Sequence, residues 1–85
     1  MKVYHWWPGR TWAGPCPIPS IFIKEAERMG TRYLTFALDY HGNIPVCGVA
    51  RCCPKDVPSR KLGREIAIGR MQSVLHDFEN AVSRP

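Results

Sequence analysis

Residues 34 to 52 constrain the fold more than any other stretch. Leu34, Phe36, Leu38 and Tyr40 alternate with Thr35, Ala37 and Asp39, the two-residue period of a strand with one buried face. His41-Gly42-Asn43 supplies turn residues tolerant of positive φ, and Ile44 to Cys52 returns antiparallel. The register stays open. Either Cys47 and Val49 face the core or Val46, Gly48 and Ala50 do, because a slip of one residue exchanges the two faces of a strand.

The flanking sequence supplies what covers this hairpin. Val3, Tyr4, Trp6 and Trp7 favour extended structure over residues 2–7, and Pro8-Gly9 turns the chain. Pro15, Pro17 and Pro19 stiffen the connector that follows, so residues 1–19 form a Trp/Pro-rich arm. Ser20 is suited to cap a short helix within residues 20–30, with Phe22, Ala26 and Met29 as its apolar stripe and Gly30 at its end. After the hairpin (residues 32–53) comes Pro54, then Asp56 or Ser59 as cap and Pro58 in the first turn of a long helix over residues 57–81. Ile68, Met71, Leu75, Phe78 and Val82 make its buried stripe, with Leu62 and Ile66 a second, offset patch. The order is β-α-β-β-α. We expect an α+β protein of one domain over residues 1–85: a small antiparallel three-stranded sheet with a short and a long helix packed on one face.

Charge placement points to function. The net charge is +5. From residue 51 to residue 70, Arg51, Lys55, Arg60, Lys61, Arg64 and Arg70 stand against only Asp56 and Glu65. Four of the five excess charges therefore lie in a quarter of the chain, a footprint suited to an anionic partner. The long helix also carries its charges against its dipole. Arg60, Lys61 and Arg64 sit in its first turns and Asp77 and Glu79 near its end, each exposed misplacement costing about 0.3–1 kcal/mol. An anion held at the helix start explains that pattern, with Arg51 and Lys55 completing the ring. Gly63, Ala67 and Gly69 either admit a ligand or let the helix pack closely on the strands.

The segment from Cys52 to Arg70 reads Cys-Cys-Pro-Lys-Asp, then Ser59-Arg60-Lys61-Leu62-Gly63-Arg64-Glu65-Ile66-Ala67-Ile68-Gly69-Arg70. It resembles a segment of small, mostly uncharacterised bacteriophage proteins: Cys-x-Pro-Lys-Asp, then Ser-Arg-Lys-x-Gly-Arg-x-Ile-Ala-x-Gly-Arg. Some phage proteins of this size inhibit bacterial defence, anti-CRISPR proteins and binders of signalling nucleotides among them. The resemblance covers about a quarter of the chain and implies a phage origin and non-enzymatic interference with a host.

Other constellations carry less. Cys16, Cys47, Cys52 and Cys53, with His5 and His41, lack the paired spacing of a zinc site, so no metal or other cofactor is expected, and small buried thiols in a reducing compartment fit better. Cys47, His41 and Asp39 cluster around the hairpin as a nucleophile–base–carboxylate trio; nothing else supports an enzyme, and none is expected. Trp6 and Trp7 point oppositely on a strand, one to the core and one to a contact, either a protein anchor or a base-stacking platform. Apolar stretches are far shorter than the roughly 20 residues that span a bilayer, and Pro8-Gly9 interrupts the start before a signal-peptide core forms; the expected location is the cytoplasm, a host's if the chain is phage-encoded. Three partners follow for the face made by Arg51, Lys55, Arg60, Lys61, Arg64, Arg70, Trp6 and Trp7: a host defence complex, a nucleic acid, or a signalling nucleotide held at a homo-oligomer interface.

Overall fold

The computed structural model of the chain describes residues 1–52 and 60–83, with side chains through Asn80. Its elements are β1 (Lys2–Trp6), α1 (Ser20–Arg28), β2 (Tyr33–His41), β3 (Ile44–Cys52) and α2 (Arg60–Ser83). The order is β-α-β-β-α and the fold class is α+β. The sheet is antiparallel with spatial order β1-β2-β3. Pro54, Lys55, Asp56, Pro58 and Ser59, on which the capping of the long helix and part of its cationic ring were expected, lie outside the described residues, as do Cys53 and the Val82 side chain.

The helices do not share a face. Trp6, Leu34 and Phe36 pack with Ile18 and Ala26 on one side of the sheet, joined by Tyr4, Cys47 and Val49. Ala37, Val46 and Ala50 pack with Ala67 and Met71 on the other. The sheet is therefore the middle of three layers, with α1 and the N-terminal arm below and α2 above. The open question of register in β3 dissolves, because both sets of side chains are covered, each by a different helix. The expectation of one covered face fails for a physical reason: Thr35 and Ala37 are small and read as a polar or neutral face, yet small side chains are what a closely packed helix requires.

Gly48 shows how close that packing is. A Cβ built there would collide with the Ala67 carbonyl oxygen and the Met71 amide nitrogen, and would lie 3.0 Å from the Met71 Cα. Gly63 sits over Thr35, whose hydroxyl would be 2.7 Å from an added Cβ. Helix-on-sheet packing thus accounts for Gly63 and Ala67, whereas Gly69 has nothing within 4 Å of such an atom. Gly69→Ala should accordingly raise stability by up to about 1 kcal/mol, through helix propensity alone, seen as a higher thermal midpoint.

Several details depart from the expected elements. Ser20 is the first helical residue rather than the cap; Pro19 holds that position and no side chain caps the helix. Met29 is exposed, and Phe22, Ile23 and Ala26 form the inner stripe of α1. Along α2, Met71 is buried and Ile68 and Leu75 pack beside it, as expected, while Phe78 touches the His41 ring. Leu62 and Ile66 face outward. Ile18, within the proline-rich connector, is among the most enclosed side chains. No helix among the described residues is long and apolar enough to cross a membrane.

Candidate functional site

The site begins with a turn. Pro8-Gly9 closes a β-turn in which the Arg10 amide donates to the Trp7 carbonyl at 3.0 Å and Gly9 has φ +87°. Proline then glycine at positive φ is the type II sequence. The turn carries Arg10 back along β1, where its guanidinium donates to the His5 carbonyl. The same group lies 4.8 Å from the Trp7 ring centre and 3.7 Å from that of Trp12. Stacking on indole fixes a planar guanidinium, which lowers the entropy lost when it bonds a ligand.

His5 stands at the centre. It pairs with Thr35 in the sheet register, and its Nδ1 is 3.3 Å from the Thr35 Oγ1. The Tyr33 ring lies 5.5 Å from it and in turn stacks parallel to Trp7, with centres 6.1 Å apart. Because Gly63 lets α2 descend onto Thr35, the first turns of the helix come down beside His5. Arg60, Lys61, Arg64, Glu65 and Ile68 join His5 in lining a cavity of 460 Å³. Burial lowers the His5 pKa from its ordinary value, and the charges of Arg60, Arg10 and Arg64 lower it further. No ion pair ties Arg60, Lys61 or Arg64 to a carboxylate among the described residues, although Glu65 shares the cavity wall. The first turn of α2 contains no acidic residue and its last turn no basic one, so the dipole opposes the charges as expected.

The other expected cations lie elsewhere. Arg51 pairs with Glu25 of α1 at 3.2 Å, on the opposite side of the sheet. Its alternation with Cys47 and Val49 puts it there. Arg70 donates to the Val49 carbonyl at 2.6 Å, on the flank of α2 away from His5. At 100° per residue it lies about 240° around the helix from Arg64, so its separation was readable from spacing. Lys55 is outside the described residues. Of the two adjacent tryptophans, Trp6 is core at 4% exposure and Trp7 is open at 37%, which decides which one is available for contact. Arg10, Tyr33 and His5 were missed as members of one site. The turn signal at Pro8-Gly9 could have placed Arg10 over Trp7, but the pairing of β1 with β2 that brings His5 to Thr35 has no local signature.

The cysteine and hairpin constellations do not assemble. Cys16 and Cys47 are free thiols; Cys16 is exposed rather than buried, and burial pushes the Cys47 thiol up. Cys47 faces α1, whereas Asp39 and His41 alternate onto the α2 face, so the trio is split by the sheet. Among the described residues no three His, Cys, Asp or Glu side chains come together as a metal site. No protein-family model, curated protein or solved structure matches the chain, so the likeness of residues 52–70 to phage proteins rests on those residues alone.

Proposed function

We propose that this is a non-enzymatic binding protein that takes the phosphate backbone of a nucleic acid into the cavity between β1 and α2. The observation that carries the reading is three cations, Arg60, Lys61 and Arg64, gathered around His5 with no ion pair to a carboxylate among the described residues. Arg10, held between two indoles, extends the positive charge toward the open Trp7. A strand laid here would meet cations along its phosphates and an aromatic edge beside its bases. Replacing its counterions by four protein cations gives affinity that falls with the logarithm of salt concentration, with a slope of about −3 for a single strand. Binding of an oligonucleotide, followed by fluorescence anisotropy across a salt series, tests this. No binding at low salt removes the reading. A parallel titration with cyclic and phosphorylated nucleotides separates a strand from a free signalling nucleotide as the ligand.

A second reading keeps the pocket and changes the partner: a small phage-type, anti-CRISPR-like inhibitor that docks stoichiometrically on a host defence complex or withholds its anionic ligand. What favours it is that Arg60, Lys61 and Arg64, which line the cavity, also carry the resemblance to phage proteins. Co-purification with purified host defence complexes tests it, with Arg60→Glu/Arg64→Glu as the control that must lose the interaction.

A further inference from the structure

We propose that His5 is the group through which this cavity registers its ligand, so that a phosphodiester enters together with a proton taken up from solvent by the His5 ring. This rests on the cavity being the phosphate site. Geometry puts His5 where it must respond. Its Nδ1 is committed to Thr35, leaving Nε2 as the ring nitrogen available to a ligand in the cavity that His5 lines. Among the described residues the groups that face it are cationic from two directions: Arg60, Lys61 and Arg64, with Glu65 as the carboxylate beside them, from α2, and Arg10 from the turn after β1. From β2 come only the Tyr33 ring and the Thr35 hydroxyl.

Burial, and then the charges of Arg60, Arg10 and Arg64, lower the His5 pKa from its ordinary value of 6.5. A phosphodiester brings a negative charge among the same groups, which cancels part of the field and stabilises the imidazolium. The bound-state pKa is therefore above the free-state one. Between the two values binding consumes a proton, and affinity rises as pH falls through that window. Each unit of pKa rise on binding yields about a tenfold gain in affinity from the alkaline to the acid side.

The probe is an oligodeoxythymidylate without a terminal phosphate, whose charge is constant between about pH 5 and pH 8, the range in which histidine titrates. Calorimetry on the unmodified protein in buffers of different ionisation enthalpy counts the protons directly. Uptake of a fraction of a proton, with affinity increasing toward acid, is the expected result, and His5→Gln should abolish the pH dependence whatever it does to the affinity. Binding without proton uptake, or a pH dependence that persists in His5→Gln, overturns the role of His5 and leaves the phosphate site standing. Absence of binding at every pH overturns both.

Discussion

Arg60→Glu/Arg64→Glu should lose oligonucleotide affinity by at least about a hundredfold while the fold stays as stable as before. Charge-assisted hydrogen bonds contribute roughly 1.5–3 kcal/mol each, and two of them together correspond to a factor of about 10² to 10⁴. Reversal adds repulsion of the phosphate to the loss of contact. The salt dependence should become shallower, by about 0.7 of a unit of slope for each cation removed from contact with a single strand. Stability moves the other way. Carboxylates near the start of α2 agree with the helix dipole, so the thermal midpoint should hold or rise by up to about 5 °C. A variant that loses both binding and stability would show that these arginines support the fold. Arg51→Ala is the internal comparison: its guanidinium lies on Glu25 across the sheet, and its loss should change affinity little.

Gly48→Ala carries the largest expected effect on stability. The added methyl meets backbone atoms of Ala67 and Met71, which cannot rotate aside as a side chain can. Either α2 lifts from the sheet or β3 bends, and both open the layer that contains Ala37, Val46 and Met71. A loss of about 3 kcal/mol or more is expected. For a domain of this size that is a fall of roughly 12–24 °C in the thermal midpoint, measurable by circular dichroism. Gly63→Ala should cost less, because the atom it approaches is the Thr35 hydroxyl, a side-chain group able to shift. Lifting α2 also separates Arg60 and Arg64 from His5, so anion binding should weaken in Gly48→Ala even where the protein remains folded.

Arg10 and Arg70 share a role that their sequence positions do not advertise. Each donates to a carbonyl on an outer strand of the sheet, His5 in β1 and Val49 in β3. Exposed edge carbonyls invite pairing with another chain, and a guanidinium placed on them blocks it. Arg10 holds the β1 edge at His5, the residue that also lines the cavity, and Arg70 holds the β3 edge. A cluster of cations in sequence is thus divided in space among the cavity beside His5, an ion pair with α1 and the β3 edge.

By itself the sequence determined the hairpin, the helices and the unfavourable dipole of α2. Each depends on contacts within a few residues: alternation from Leu34 to Tyr40, the Gly42 turn, and the apolar spacing of Ile68, Met71 and Leu75. It also determined that positive charge is in excess near the start of α2. Tertiary structure alone decided that the sheet is covered on both sides, that Arg51 turns to Glu25, and that His5 and Arg10 join Arg60 and Arg64. Those outcomes depend on which strand pairs with which and on how closely α2 approaches Gly48 and Thr35. Such approaches join residues far apart in the chain, and no local pattern encodes them.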